Sequence, residues 1–289
     1  MNKKRILLTG ASGFLGSAVL EALIREENTE KIIVLDKEPP QIRGEYEFIE
    51  GDVTNIEVVN SIEPVEVIYH FAAIANLDDS IERNDELLQV NIMGLINILN
   101  LARETGIEKF MYASSMYVFN NIGNFYGVSK KCGELLVEEY SKNYGFDFVH
   151  LRYGSLYGKG AQQWNSIRKY ITAILNEQKV EYWGTGEEKR DYIHIEDAAT
   201  LSLEAMDEKY LNQALTITGQ QTKSSKEIFE MIFEMLDMKP DIKYLNQVEG
   251  FHYSLSPYKY KRERSIKLVS NSYIDIGQGM YEIIKELDE

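Results

Sequence analysis

The first half of the chain alternates short apolar runs with longer amphipathic stretches. The short runs have the length of buried strands, and the longer stretches repeat their apolar residues at helical spacing. We predict strands over residues 5–8, 31–35, 46–50, 67–70, 109–113 and 147–152, and helices over 15–25, 82–104 and 129–144. Strands that alternate with helices predict an α/β fold of the Rossmann type, with a doubly wound parallel sheet.

The pattern changes after about residue 158. Helices are predicted over 164–177 and 228–236, a strand over 180–183 and a turn at 184–186. These elements predict a smaller C-terminal α+β lobe over 159–289, which closes over the carboxyl ends of the strands and holds the substrate. A cofactor-binding domain is predicted over 1–158, with a segment near 191–206 that returns to it.

The charge and the cysteine content narrow the classes of partner. The 289 residues include 46 acidic and 31 basic side chains, for a formal net charge of -15, which repels nucleic acid and anionic membranes. Cys132 is the only cysteine, so an intrachain disulfide is excluded and a reducing cytoplasm is favoured. No apolar stretch approaches the roughly 20 residues of a membrane span. We therefore expect a cytoplasmic protein without a membrane or nucleic-acid partner, and we predict no metal site.

Three glycines follow the first predicted strand and precede the first predicted helix. Gly10, Gly13 and Gly16 leave the backbone unobstructed, and the amide groups at the start of the helix attract an anion. This context predicts that the turn binds the pyrophosphate of a dinucleotide. The alternative is an ordinary tight turn that happens to be rich in glycine.

Carboxylates at the ends of the next two strands suggest which dinucleotide is bound. Asp36 ends the second strand, where a carboxylate accepts the ribose hydroxyls of NAD and repels the 2′-phosphate of NADP. Asp52 and Val53 follow the third strand and are candidates to hold the adenine amino group, although Asp52 is alternatively a turn residue. After the fourth strand, the small side chains of Ala72 and Ala73 let the backbone approach the cofactor.

Tyr126 and Lys130 are the candidate catalytic pair. Four residues apart on a helix, they share one face, so the ammonium group is expected to lower the pKa of the phenol and to bind the nicotinamide ribose. Ser115, after the fifth strand, is a candidate to donate a hydrogen bond to the reacting oxygen. A Tyr-x-x-x-Lys spacing arises easily by chance among 19 tyrosines. Behind a glycine turn, however, it points to nicotinamide redox chemistry.

In these features the sequence resembles the extended short-chain dehydrogenase/reductase family, in its NAD-dependent epimerase/dehydratase branch, which acts on nucleotide sugars. The motifs that carry the resemblance are residues 9–16, Asp36, Asp52-Val53, residues 70–73, Asn91 with Gly94, Ser114-Ser115, Tyr126 with Lys130, residues 151–158 and residues 190–194.

The resemblance implies a role for each matching residue. Tyr126 is the acid/base, Lys130 tunes it and binds ribose, and Ser115 polarises the substrate hydroxyl. Arg190 binds the nucleotide phosphate or ribose, unless it is a solvent-facing arginine, and Ser155 contacts the substrate. The implied NAD site comprises Gly10, Ser12, Gly13, Phe14, Leu15, Gly16, Asp36, Asp52, Val53, Phe71, Ala72, Ala73, Asn91, Tyr126 and Lys130.

Departures from the family pattern narrow the reaction. Met116 and Tyr117 stand where the dehydratases and decarboxylases carry carboxylates, and elimination of water needs an acid and a base, so a 4,6-dehydratase is disfavoured. Relatives that epimerise at C3 and C5 have a cysteine at about the position of Tyr117. Here the cysteine, Cys132, lies beyond the Tyr126/Lys130 pair, so epimerisation at C3 and C5 is also disfavoured. A nucleotide-sugar 4-epimerase is therefore the leading hypothesis. The alternatives are a dehydrogenase or keto-sugar reductase and a noncatalytic NAD-binding regulator.

Three further features leave the substrate and the assembly open. The short loop 120–125, and Ser155 in place of a frequent asparagine, leave the sugar and the base undefined. The basic segment 258–267 either contacts a diphosphate or is a solvated loop. By analogy, helices 82–104 and 129–144 pair in a homodimer, although Leu95, Ile98 and Leu99 alternatively pack on the sheet.

Overall fold

The computed structural model describes residues 3–77, 79–119, 123–245, 266–270 and 272–288. The strands are β1 (Lys4–Thr9), β2 (Thr29–Asp36), β3 (Glu47–Glu50), β4 (Val67–His70), β5 (Lys109–Ser115), β6 (Asp147–Tyr153), β7 (Ser155–Tyr157), β8 (Val180–Tyr182), β9 (Lys189–His194), β10 (Gln213–Ile217), β11 (Thr222–Ser224), β12 (Ile242–Tyr244) and β13 (Ile266–Leu268). The α-helices are α1 (Phe14–Ile24), α2 (Ile56–Asn60), α3 (Asp79–Glu82), α4 (Asn84–Leu88), α5 (Leu95–Thr105), α6 (Asn124–Tyr144), α7 (Ser166–Glu177), α8 (Ile195–Glu204), α9 (Ser225–Met235) and α10 (Ile276–Asp288).

Among these residues, eight strands form one sheet in the order β13-β10-β6-β5-β4-β1-β2-β3. Every neighbouring pair is parallel, from β13 with β10 to β2 with β3. The strand order reverses between β1 and β4, and ligands bind at such a point in doubly wound sheets. The predicted Rossmann-type parallel sheet is confirmed.

Both faces of the sheet are buried, which explains why its strands are continuous apolar runs. Ile6 and Leu8 of β1 pack on one face against α1 and α8. Leu7, between them, packs on the other face against Ile98 and Leu99 of α5. The alternation fixes the register of β1, since a shift of one residue would exchange the two faces.

Three of the predicted helices differ from the observed ones by three residues or fewer at each end, and the other two differ more. The predicted helix 82–104 is divided into α3, α4, a π-helical segment (Gln89–Gly94) and α5. Helix α6 begins at Asn124, five residues before the predicted start, because Gly123 ends the preceding segment at φ 96°. Residues Met116–Phe119 form a 3₁₀-helix instead of extending β5. The earlier start of α6 places Tyr126 in its first turn.

The second half of the chain contributes to both parts of the fold. Strands β7, β9 and β11 form a small sheet, β8 pairs with β12, and α7, α9 and α10 surround a core of their own. The chain returns to the large sheet through α8, which packs beside α1, and then through β10 and β13. The segment near 191–206, predicted to return, corresponds to the end of β9 and to α8. The division at residue 158 into two domains stays a prediction.

Candidate active site

The glycine turn after β1 lies against the backbone that follows β4. Gly10 has φ +75°, and a Cβ at this position would lie 2.5 Å from the Ala72 nitrogen. At Gly16 a Cβ would lie 2.0 Å from the Gly10 oxygen. Helix α1 then starts with Gly13 as its N-cap, without a side-chain cap and without an acidic residue in its first turn. Its first amide groups therefore offer a binding place for an anion such as pyrophosphate.

The carboxylate of Asp36 is held at the end of β2 by two backbone amides. The Ser12 amide donates to Oδ2 at 2.8 Å, and the Lys37 amide donates to Oδ1 at 2.7 Å. Lys37 Nζ lies 2.6 Å from Asp52 Oδ2, and Thr54 donates to the other Asp52 oxygen. Burial raises the pKa of Asp52, but the hydrogen bonds from Lys37 and Thr54 outweigh this and lower it below its usual range. Both carboxylates line one end of the groove described below.

The segment after β4 is fixed by a buried threonine–histidine contact. Thr9 Oγ1 lies 2.9 Å from His70 Nδ1 and accepts a hydrogen bond from the Ala72 amide at 3.2 Å. Burial, with a smaller contribution from Lys130, lowers the pKa of His70 to about 3. His70 is thus a neutral, packed residue at a strand end, and it positions the backbone of Phe71 and Ala72.

Asn91 lies behind this segment and clamps it to α6. Its Oδ1 accepts from the Ile74 amide at 2.8 Å, and its Nδ2 donates to the Ile74 carbonyl at 3.1 Å and to Ser129 Oγ at 3.0 Å. Ser129 in turn donates to the carbonyl of Tyr126. Ser12 and Asn91 are not among the described residues that line the groove. Their contribution to the predicted NAD site is to hold Asp36 and the segment after β4 in place.

The three predicted catalytic residues meet at the carboxyl end of β5. Ser115 ends β5, and Tyr126 forms a hydrogen bond with it from the first turn of α6. Lys130 follows one turn later, with Nζ 5.8 Å from the centre of the Tyr126 ring. Its ammonium group donates to the Ala113 carbonyl at 2.7 Å. All three side chains line the same cavity.

The electrostatics of this trio differ from the expectation. Burial raises the pKa of Tyr126 to about 12, and the hydrogen bond with Ser115 offsets only part of the effect. Burial also lowers the pKa of Lys130 to about 8, against the attraction of Glu134. The expected lowering of the phenol pKa by Lys130 is wrong for this arrangement, because the amine points to the Ala113 carbonyl and to the ring face.

The substrate side of the cavity is assembled from distant segments. Ser155 at the start of β7 and Arg190 of β9 both line it, and their binding of a substrate stays a prediction. Asn76, Gln162 and Trp164 also line it and were not among the predicted site residues. Trp164 was assigned to the start of a helix, whereas it precedes α7 with 46% of its surface exposed. A tryptophan beside a predicted helix start was the signal available in the sequence.

Two predicted features fall outside the described residues in whole or in part. In the loop 120–125, residues 120–122 are outside them, and so is most of the basic segment 258–267. Only Ile266 and Lys267 of that segment are described; they lie in β13, and Lys267 Nζ donates to the Gly219 carbonyl at 2.9 Å.

The cofactor side and the substrate side form one groove across the switch point of the sheet. Two cavities share Gly10, Gly13, Phe71 and Ala73. The other residues predicted to bind the cofactor are Phe14, Leu15 and Gly16 in the cavity that includes Ser115, Tyr126 and Lys130, and Val53 and Ala72 in the cavity that includes Asp36 and Asp52. Among the described residues that line the substrate side, none is an aspartate or a glutamate.

Neither a metal cluster nor a membrane span is found in the described part of the chain. It contains no group of three histidine, cysteine, aspartate or glutamate side chains placed to hold a metal ion. None of its helices combines the length and the apolar character needed to cross a bilayer.

Comparison with known proteins identifies the family. Residues 6–217 match the sequence profile of the NAD dependent epimerase/dehydratase family. The match spans more than half of the chain and includes every residue placed at the groove above. The chain belongs to this family. It is therefore an enzyme of the NAD-dependent epimerase/dehydratase family, and NAD is its cofactor.

Individual relatives are similar over nearly the whole chain. A putative UDP-glucose 4-epimerase of Methanocaldococcus jannaschii is 30% identical over 303 aligned residues, which cover 96% of this chain and 97% of the relative. The dTDP-D-glucose 4,6-dehydratase of Mus musculus is 25% identical, with 90% and 82% covered. The structure of the UDP-glucuronic acid 4-epimerase of Bacillus cereus, with UDP-glucuronic acid and NAD, superposes with a TM-score of 0.82 at 22% identity over 98% of this chain and 99% of the other.

Proposed function

We propose that this member of the NAD-dependent epimerase/dehydratase family inverts the configuration at C4 of a UDP-linked sugar. The observation that carries the proposal is the meeting of Ser115, Tyr126 and Lys130 in one cavity that is also lined by the glycine turn and by Arg190. The names of the relatives support C4 and UDP, since both an archaeal and a bacterial relative are described as 4-epimerases of UDP-sugars.

The described residues fit NAD along the cofactor side. The pyrophosphate would lie on the amides at the start of α1, where Gly13 leaves the helix without a side-chain cap. Asp36 would accept the ribose hydroxyls, because its oxygens are already oriented by the Ser12 and Lys37 amides. Lys130 would bind the nicotinamide ribose. NAD, when bound, accepts a hydride from the sugar and later returns it.

Tyr126 would exchange the proton that accompanies the hydride. As the C4–H bond breaks, the phenolate oxygen takes the proton from the C4 hydroxyl and the sugar becomes a 4-keto sugar. Ser115, hydrogen-bonded to Tyr126, orients the reacting oxygen. The keto sugar turns over in the groove, and the same phenol gives the proton back when the hydride returns to the opposite face. Because burial raises the pKa of Tyr126 and Lys130 does not offset this in the present arrangement, the positive charge of the nicotinamide ring would favour the phenolate when the cofactor is bound.

The lining of the cavity favours epimerisation over dehydration. Elimination of water needs an acid for the leaving hydroxyl and a base for the neighbouring C–H bond. Met116 and Tyr117 occupy the positions of the family's carboxylates, and they line the cavity. Hydride and proton exchange needs neither carboxylate. This contrast matters because several relatives, including the mouse protein, are dehydratases.

The deciding experiment is to denature freshly purified protein and to measure the dinucleotide that it releases. Near-stoichiometric NAD, followed by conversion of UDP-glucose to UDP-galactose without added cofactor, is the expected result. A panel of UDP-, GDP- and CDP-sugars then defines the substrate. An empty protein that reduces added NAD with a nucleotide sugar would instead establish a dehydrogenase. Absence of any sugar-dependent change would contradict catalysis and favour a binding protein.

We also propose that the enzyme is a cytoplasmic homodimer. Leu95, Ile98 and Leu99 are buried against the sheet of their own subunit, so they are not free for a partner. Val128 and Leu135 of α6 are 62% and 61% exposed, and they lie seven residues apart on one helix face. Light scattering is expected to give a dimer for the native chain and a monomer for Leu135→Lys. A monomeric native chain at micromolar concentration would contradict the assembly.

A further inference from the structure

A fully buried ion pair lies beside the catalytic trio, and the proposed reaction does not use it. Glu134 of α6 and Arg152 of β6 are 5% and 7% exposed. The guanidinium donates from Nε and Nη2 to the two carboxylate oxygens, each at 2.8 Å. Ser114 Oγ donates to the same carboxylate at 2.5 Å. The guanidinium carbon also lies 4.7 Å from the centre of the Phe119 ring.

The burial of this pair sets it apart from other ion pairs of the protein. Among the described pairs between a lysine or arginine and a carboxylate, it is the one in which both side chains are less than a tenth exposed. The pair between Arg5 and Glu66, for comparison, leaves 34% and 27% of the side chains exposed. Removing two charges from water is costly, and an apolar pair of similar volume often gives equal or greater stability. Stability alone therefore does not account for the pair.

The pair is connected to the trio in two ways. Ser114, which hydrogen-bonds Glu134, directly precedes Ser115 in β5. Glu134 also follows Lys130 by four residues in α6, so the carboxylate and the amine lie on one face of the helix. The attraction of Glu134 raises the pKa of Lys130, against the larger effect of burial.

The other titratable groups around Lys130 do not replace this negative charge. His70 of β4, whose pKa is lowered further by Lys130, is neutral. The Tyr112 ring of β5 lies 5.2 Å from Lys130 Nζ, and burial raises the pKa of its phenol, which stays protonated. Tyr126 of α6 is likewise protonated at neutral pH in this arrangement. Glu134 is the group whose charge raises the pKa of Lys130, and its partner Arg152 carries the opposite charge.

We propose that Glu134 is a positioning residue that keeps Lys130 in its ammonium form, with Arg152 and Ser114 fixing the carboxylate in place. Arg152 anchors both oxygens from the neighbouring strand, and Ser114 ties the carboxylate to the strand that ends in Ser115. Only the catalytic consequence rests on the proposed function. The claim about the protonation of Lys130 concerns the folded chain itself.

The direct test is the titration of Lys130 by NMR with lysine labelled at ¹³Cε. The Lys130 resonance is assigned by its loss in Lys130→Arg. We expect a midpoint near pH 8 in the native protein. In Glu134→Gln/Arg152→Gln, which removes both charges of the pair, we expect a lower midpoint, because Glu134 is the charge of the pair that acts on Lys130. The single variant Glu134→Gln should shift the Lys130 midpoint in the same direction. This variant replaces the double variant in the test if the double variant does not fold.

Two variants separate charge from packing. Glu134→Asp keeps the carboxylate and is expected to restore most of the native titration. Glu138, a partly exposed glutamate one turn later on α6, contacts His150. Glu138→Gln should leave the titration midpoint of Lys130 unchanged. An unchanged midpoint in both Glu134→Gln variants would overturn the proposal.

Activity provides a second readout. If catalysis requires the ammonium form, kcat/KM falls as the pH rises through the pKa of Lys130, and this alkaline limb should move to lower pH in Glu134→Gln/Arg152→Gln. A shifted NMR midpoint in a protein without epimerase activity would refute the proposed function and leave the role of Glu134 intact. A native alkaline limb together with an unshifted midpoint would refute the role of Glu134 alone.

Discussion

The two ends of the groove are built in different ways. The cofactor end consists mainly of backbone: the turn from Gly10 to Gly16, the amides that hold Asp36, and the segment after β4. Its parts belong to adjacent strands of one sheet that follow one another closely in the sequence. The substrate end consists of side chains, such as Tyr126, Trp164 and Arg190, from segments that meet only in the folded chain.

Because of this difference, the two ends of the groove recognise their ligands in different ways. Backbone amides recognise a pyrophosphate that every dinucleotide shares, so the cofactor end needs space and helix geometry more than particular side chains. Recognition and reaction at the substrate end depend on individual hydroxyl, ammonium and guanidinium groups. Single side-chain changes should therefore affect catalysis most at the reacting centre, less at the substrate end, and least at the cofactor end.

The largest effect is expected for Tyr126→Phe. Loss of the phenolic oxygen removes the group that exchanges the proton, and kcat should fall by about 10²–10⁴-fold. Bound NAD, measured after denaturation, should be retained. The matched control is Tyr144→Phe, at the exposed end of the same helix, which should keep native turnover. Near-normal turnover in Tyr126→Phe would refute the role of the phenol. It would also refute the expectation that side-chain changes matter most at the reacting centre.

The next effect is expected for Arg190→Ala, at the substrate end. Removal of a charge-assisted hydrogen bond to the nucleotide should raise KM by about 10–100-fold. The value of kcat should change little, since Arg190 does not belong to the reacting trio. Steady-state kinetics with the best sugar of the panel would measure this. Arg103→Ala, on the exposed side of α5, is the control, and an equal loss there would show a general charge effect.

At the cofactor end, His70 should affect acid stability more than catalysis. Its pKa is about 3 in the folded chain, against 6.5 for the free side chain, so the unfolded chain binds the extra proton between these values. Stability should therefore fall by about 2 kcal/mol from pH 7 to pH 5 on account of this residue. Urea unfolding at both pH values should show that this part of the loss is absent in His70→Asn. Equal acid losses in both proteins would contradict the assignment.

The smallest effect is expected for Asp36→Asn. The amide can still accept from Ser12, but it no longer repels a 2′-phosphate, so the preference for NAD over NADP should drop by about tenfold. Titration of both cofactors, after removal of any bound dinucleotide, measures the ratio. Glu38→Gln, two residues later and exposed, is the matched control. Tighter binding of NADP than NAD by the native chain would overturn the predicted cofactor choice.

The sequence signals at the cofactor end are local. A strand, a glycine turn and a helix within the first 25 residues require one another, and Asp36 closes the following strand. Tyr126 and Lys130 were found because their spacing matches one helical turn. Gln162 and Trp164 were not predicted, because their place in the groove depends on segments that are distant in the sequence.

Features that depend on local interactions can be predicted from the sequence, whereas features that depend on long-range interactions need the tertiary structure. Hydrophobic periodicity and turn chemistry predicted the strands and the parallel sheet, whereas the residues of the NAD site, predicted from the glycine turn, the strand-end carboxylates and the family resemblance, stay a prediction. The tertiary structure decided that β10 and β13 complete the sheet, that Lys130 Nζ points to the Ala113 carbonyl, and that burial raises the pKa of Tyr126 instead of lowering it. It also placed Glu134 against Arg152 of another strand, because burial and charge pairing depend on neighbours that are distant in the sequence.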